Sequence, residues 1–211
     1  MVTRSMWSIF PLRPKKMAID AVKIDGVLSP EDCARWIAAA ERAEFTKSGD
    51  REIFSGNRLR TVLNDQDAAD AVWQQIKTHV TKRRLHRSSD TNCSYGGVGD
   101  IPDGEYEPFG VSPMFRFSKY VPGGSFGWHV DTCYAKGPHE VGMDTLLIYL
   151  NDDYVGGETV LKLVPDTVVM TPKTGSALAF YHCQTHAGME VQSGVKYLVR
   201  TEVLYRKAAQ G

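Results

Sequence analysis

Met114-Phe-Arg-Phe-Ser-Lys-Tyr120, then Val121-Pro-Gly-Gly-Ser125, then Phe126-Gly-Trp-His-Val-Asp131, is the stretch on which the fold turns. Its first seven residues are rich in aromatic and apolar side chains and read as a strand. The Pro-Gly-Gly run supplies a turn, and the residues after it read as a second extended segment. Residues two apart on a strand project to the same side. His129 and Asp131 therefore share a face while Val130 points the other way, which makes a platform for two ligands. A His-x-Asp pair arises easily by chance in a chain with six histidines, so its surroundings must carry the reading.

A third ligand has two candidates in Phe180-Tyr-His-Cys-Gln-Thr-His-Ala-Gly188. His182 directly follows the apolar run 177–181 and reads as a core histidine. His186, beyond that run and before the turn that Gly188 allows, can reach a site shared by two sheets and reads as the ligand. Two histidines and one carboxylate occupy one face of an octahedral Fe(II) and leave three positions for a bidentate co-substrate and dioxygen. Ten positions after His186, Lys196 lies in the strand-like run Val195-Lys-Tyr-Leu-Val-Arg-Thr-Glu-Val-Leu-Tyr205. Facing water it is an ordinary lysine; facing a metal cavity it is a point-charge anchor for a dicarboxylate. Alternation places 196, 198 and 200 on one face, so Arg200 competes for that role.

Five pieces in order and at matching spacing resemble the prolyl 4-hydroxylase-like branch of the Fe(II)/2-oxoglutarate-dependent dioxygenases. They are the Tyr120 to Asp131 run, Leu146-Leu-Ile-Tyr-Leu-Asn-Asp-Asp-Tyr-Val-Gly-Gly-Glu-Thr159, the segment 172–180, His186, and Gly194-Val-Lys-Tyr197 leading into Arg200-Thr-Glu-Val-Leu-Tyr205. The resemblance implies a mainly β fold with flanking helices: a double-stranded β-helix, or jelly roll, buttressed by N-terminal α-helices, with Fe(II) at its mouth. It implies His129, Asp131 and His186 as iron ligands and Lys196, rather than Arg200, as the partner of the distal carboxylate of 2-oxoglutarate. Tyr120, otherwise a core aromatic, is implied as a hydrogen-bond partner of the same co-substrate, with Leu147 and Thr159 on strands lining its pocket. The implied reaction consumes 2-oxoglutarate and O2, releases succinate and CO2, and hydroxylates an unactivated C–H bond, with ascorbate as reductant. No residue need act as nucleophile or general base. A peptidyl or protein residue, with prolyl among the candidates in keeping with the branch, is the expected substrate; a free amino acid or small metabolite is the rival. A catalytically silent jelly-roll binding module is the contrary class.

The remainder of the chain sets bounds. Its 211 residues, 42% hydrophobic, suit one domain over 18–211, with support in 18–112, barrel core in 113–206 and a loose arm over 1–17. Lys plus Arg equals Asp plus Glu at 25 each, so neither nucleic acid nor an anionic membrane is an expected partner; oligomeric state is not indicated. The first residues lack the apolar run of a secretory signal, and the four cysteines show no Cys-x-x-Cys spacing; reduced thiols in the cytoplasm are expected. Ser29-Pro-Glu-Asp32 starts one helix. A second starts near Asp65, with Ala69, Val72, Trp73, Ile76 and Val80 on one face, and ends in the basic Lys82-Arg-Arg-Leu-His-Arg87. Residues 18–26 read as a short strand. Residues 88–112, rich in Gly, Pro and Asp, read as a loop, either a substrate lid carrying Tyr95, Tyr106 and Phe109 or a disordered segment. Asn57 and Arg58, between the helices, are substrate contacts or surface groups, and Trp128 should pack between sheets.

Overall fold

The computed structural model describes residues 20–47, 57–85, 101–135, 140–163 and 166–208. The arm expected over 1–17, Tyr95 and the first part of the 88–112 loop lie outside the described residues. In chain order the elements are β1 (Ala21–Ile24), α1 (Pro30–Arg42), β2 (Thr46–Lys47), β3 (Arg58–Asn64), α2 (Gln66–Ile76), β4 (Arg83–Leu85), β5 (Gly104–Val111), β6 (Met114–Tyr120), β7 (Phe126–His129) and β8 (Tyr134–Ala135). There follow β9 (Glu140–Tyr149), β10 (Val155–Gly156), β11 (Thr159–Lys162), β12 (Thr167–Met170), β13 (Ala177–Tyr181), β14 (His186–Gly188), β15 (Val191–Ser193) and β16 (Lys196–Lys207).

The strands form the jelly roll. A major sheet runs β1-β13-β9-β16-β6-β3-β2, with β5 beside the end of β16, β4 beside β5 and β8 beside β9; a minor sheet runs β12-β11-β14-β7. Alternation divides the buried residues between two layers. Phe115 and Phe117 of β6, Leu146 and Ile148 of β9, Ala177 and Ala179 of β13 and Val199 of β16 join the cluster that includes buried residues of the helices. Tyr120, Leu147, Tyr149, Leu178, Phe180 and Leu198, from the intervening positions of those strands, meet Leu161 of the minor sheet in a second cluster. A one-residue slip in any of these strands would exchange the two sets, so register is held by burial on both faces.

The helices begin where their caps dictate. The Ser29 side chain accepts from the Asp32 N–H and that of Asp65 accepts from the Ala68 N–H, each satisfying a donor that the first turn leaves unpaired. Trp36 of α1 lies edge-on to Phe115, ring centroids 5.0 Å apart, and α2 buries Ala69, Val72 and Ile76. No helix among the described residues is long and apolar enough to cross a membrane.

Several expectations are corrected. Helix α2 stops at Ile76 and does not reach the basic cluster, part of which is strand β4. The Arg83 side chain turns inward, its Nε 2.8 Å from Asp144 Oδ1, while Tyr205 donates to the other oxygen at 2.6 Å. Residues 104–111 of the expected loop are strand β5, paired with β16; Pro108 and the neighbouring glycines disguised it. Tyr106 is consequently a fully buried core residue whose hydroxyl donates to the Pro102 carbonyl, not a substrate contact. Trp128 faces away from the site, as alternation requires, but stands 47% exposed and not between sheets. Cys33 and Cys133 are free and buried, whereas Cys183 is disulfide-bonded, so reduced thiols throughout do not hold.

Candidate active site

Strands β7 and β14 are neighbours in the minor sheet, and their register sets His129 opposite His186, ring centroids 4.1 Å apart. Asp131 lies two residues beyond the end of β7. Its N–H donates to the His182 carbonyl and the His182 N–H donates to Met143, both at 3.0 Å, which ties the segment to β9. His182 is thus a buried structural residue, as its position after an apolar run predicts.

The donor atoms converge. His129 Nε2 is 3.8 Å from Asp131 Oδ1, His186 Nε2 is 3.6 Å from Asp131 Oδ2, and one ligand atom from each residue falls within 4.8 Å of the others. His129 Nδ1 lies 2.7 Å from the Gly127 carbonyl and His186 Nδ1 lies 2.9 Å from the Gln184 carbonyl. A carbonyl can only accept, so each Nδ1 carries the proton and each Nε2 keeps its lone pair for the shared point. The donor set and tautomers fit a divalent iron.

Protonation is prepared as well. Burial, reinforced by neighbouring His186, pushes His129 down to about 4, and burial lowers His186 in the same direction. For Asp131 burial alone acts upward, but Arg200, His186 and the Thr145 hydroxyl outweigh it and hold the carboxyl below its ordinary value. Neutral imidazoles and an ionised carboxylate are the forms a metal binds. Thr145 donates to Asp131 Oδ2 at 2.6 Å. Loss of this kind of supporting hydrogen bond weakens metal binding by roughly 10- to 100-fold, so Thr145→Val is expected to do so in calorimetric titration with Mn(II).

One cavity joins His129 and His186 to Lys196 and is walled by Tyr120, Leu147, Thr159 and Leu198. Lys196 is buried, donates to the Gly157 carbonyl at 2.6 Å, and stands 5.3 Å from the Tyr120 ring centroid and 5.8 Å from that of Tyr149. Gly157, at φ +68°, turns its carbonyl to this point, and an added Cβ would come 3.2 Å from Lys196 Cδ. Burial lowers the Lys196 amine to about 7. Arg200 lies on the same face about 13 Å along the strand, where its Nε is 3.2 Å from Asp131 Oδ2 and its Nη2 is 3.3 Å from Glu202. The two cations therefore occupy different places: Arg200 at Asp131, Lys196 in the recess.

Arg58 lines the same cavity, donating to Ser118 Oγ at 3.1 Å with its guanidinium 4.1 Å from the Phe126 ring centroid. Asn57 serves a turn instead, its side chain donating to the Pro122 carbonyl at 2.7 Å. Sequence reading missed Ser118, Phe126, Thr145 and Leu198. Ser118 and Leu198 were accessible by alternation from Tyr120 and Lys196; Phe126, stacked 3.6 Å from the His129 ring, and Thr145 depend on contacts that no local pattern announces.

Residues 115–201 match the family model of the 2OG-Fe(II) oxygenase superfamily. Over 80 residues the chain is 32% identical to a PKHD-type hydroxylase of Acaryochloris marina, a stretch covering 38% of this chain and 36% of that protein. The match thus spans about a third of that relative's length. Among solved structures, the viral collagen prolyl hydroxylase of Paramecium Bursaria Chlorella virus-1 in its 2OG complex superposes with a TM-score of 0.57 at 20% identity, covering 89% of this chain and 96% of that one. A Pseudomonas putida prolyl-4-hydroxylase gives 0.55 at 14% identity over 90% and 94%. The Trichoplax adhaerens prolyl hydroxylase, in complex with a hypoxia inducible factor peptide, gives 0.55 at 16% over 89% and 83%. At these identities the structures share the fold.

Proposed function

We propose that this chain, which resembles the 2OG-Fe(II) oxygenase superfamily over residues 115–201, hydroxylates an unactivated C–H bond with Fe(II) held by His129, Asp131 and His186 and 2-oxoglutarate anchored by Lys196. The observation that carries this reading is one cavity with His129 and His186, two members of the His129-Asp131-His186 cluster, at one end and the buried Lys196 at the other. The balance is simple: one 2-oxoglutarate and one O2 yield succinate and CO2, and R–H becomes R–OH. Iron and co-substrate supply the oxidising power, and ascorbate is the expected reductant.

The protein's own residues position and exclude. Lys196 pairs with the distal carboxylate, Tyr120 supplies a hydrogen bond to the same co-substrate, and Leu147 and Leu198 keep water from its chain. A silent binding module would have no use for a buried amine at this cost in desolvation. A peptidyl prolyl residue would accord with the prolyl hydroxylases that share the fold. A free amino acid or small metabolite satisfies the same iron chemistry, because substrate selection lies with other residues.

The test is to add Fe(II) and then 2-oxoglutarate to metal-free protein without oxygen and follow the weak visible charge-transfer band of the chelate. A band that is absent from His129→Ala supports the assignment; a folded, iron-binding protein with no band refutes it. The band also reports pH dependence. With its amine near 7, Lys196 is partly neutral in the free protein at neutral pH, and the dicarboxylate favours the charged form. Binding therefore takes up a proton, and affinity is expected to fall as pH rises from about 7 to 9, by at most tenfold per unit. In Lys196→Arg, whose guanidinium stays charged, that dependence should vanish.

A further inference from the structure

A second cavity, of about 200 Å³, adjoins the iron ligands; His129 and Asp131 line it and Lys196 does not. Its other walls are cationic: Arg58, Arg60, Arg116 and Arg200 all border it. The register explains the convergence. Strands β3, β6 and β16 lie side by side, with Arg58 opposite Tyr120 and Tyr120 opposite Lys196, then Arg60, Ser118 and Leu198, then Val62, Arg116 and Arg200. Every one of these positions is even-numbered, so all face the same side of the sheet.

Among the described residues, Glu202 and Asp131 are the carboxylates that Arg116 and Arg200 reach. Arg116 lies 2.7 Å and Arg200 3.3 Å from the same Glu202 oxygen, and Arg200 also leans on Asp131. Asp131 is meanwhile a metal ligand. Arg60 has no carboxylate partner among the described residues, and its buried Nε makes no hydrogen bond. Burial, and then the charges of Arg58, Arg200 and Arg116, work against its charged form. Arg60 is only partly buried, but its Nε is shut from water without a partner, and an anion brought into the cavity would supply one.

We infer that the substrate is a small molecule bearing a carboxylate or phosphate group, which Arg60 binds with Arg116 beside it while the carbon to be hydroxylated lies against the iron ligands. This rests on the hydroxylase reading and deepens it. An uncharged prolyl peptide would fill the cavity and leave Arg60 unrelieved, so the free acid is the better occupant.

The test uses protein loaded with Mn(II) and saturating 2-oxoglutarate, titrated calorimetrically with L-malate, inorganic phosphate, the neutral malamide and a blocked, uncharged prolyl peptide. Malate or phosphate should bind and malamide should not; the stronger of the two anions identifies the oxyanion preferred. Arg60→Gln should weaken anion binding by roughly 10- to 100-fold, the worth of a hydrogen bond to a charged group. Its thermal midpoint without ligand should be no lower than that of the wild type, since an uncompensated charge has been removed. Equal binding of malate and malamide, unchanged anion affinity in Arg60→Gln, or tight prolyl-peptide binding indifferent to that change would each overturn the inference. The visible band of the Fe(II) and 2-oxoglutarate complex, recorded on the same preparation, separates the two failures. A normal band without anion preference sinks the substrate class alone, and an absent band sinks both readings.

Discussion

Replacing Asp131 with Ala is expected to abolish Fe(II) binding and, with it, 2-oxoglutarate decarboxylation. Asp131 is the anionic member of the donor set, and three neighbours keep it ionised and oriented: Thr145, Arg200 and the backbone tie to His182. Outer hydrogen bonds to a metal ligand are worth roughly 10- to 100-fold in affinity, so deleting the ligand itself should exceed that range. Arg200 would also lose its nearest carboxylate and direct its charge at the vacated position, opposing a cation further. Asp131→Asn separates shape from charge, because it preserves size and the possibility of the Thr145 contact but removes the anion; it should fail as well. Mn(II) calorimetry on variants with a native circular dichroism spectrum gives the answer. Retention of affinity within tenfold in Asp131→Ala would remove this residue from the metal site.

Lys196→Ala is expected to leave iron affinity intact and raise the dissociation constant for 2-oxoglutarate by roughly 30- to 5,000-fold, the equivalent of about 2–5 kcal/mol for truncating one partner of a buried charge pair. The recess around Lys196 is formed by Tyr120, Tyr149 and the Gly157 carbonyl, none of which can replace the ammonium as counter-charge to a carboxylate. The split between the two ligands is the diagnostic part. Arg200→Gln should show the reverse order, harming metal affinity first because Arg200 touches Asp131. If Lys196→Ala bound 2-oxoglutarate normally and Arg200→Gln did not, the anchor would be Arg200.

Local patterns made much of this molecule legible. Ser29 and Asp65 cap helices where the sequence places them, because a cap is a hydrogen bond spanning three residues. Strand alternation, with a period of two, separated Phe115 and Phe117 from Tyr120, and set Lys196, Leu198 and Arg200 on one face. The same rule linked His129 with Asp131, although the strand ends at His129 and the aspartate reaches the site from the residues that follow. Where the pattern was ambiguous the reading failed. Pro108 and its glycine neighbours hid β5, and the basic run after α2 concealed an arginine that turns inward to Asp144.

By itself the sequence placed the two helix starts, set His129 and Asp131 on one face with His186 as the expected third ligand, and put Lys196 and Arg200 on a common face, each from spacing over a few residues; the β-rich class came from the family resemblance. Tertiary structure alone decided that His186 stands opposite His129, that Arg200 leans on Asp131 while Lys196 occupies the recess, and that Arg60 and Arg116 border one cavity with His129 and Asp131. These outcomes depend on register between strands as much as 140 residues apart, from β3 to β16. Register is set by the simultaneous burial of both faces of the sheet, which no single segment can express.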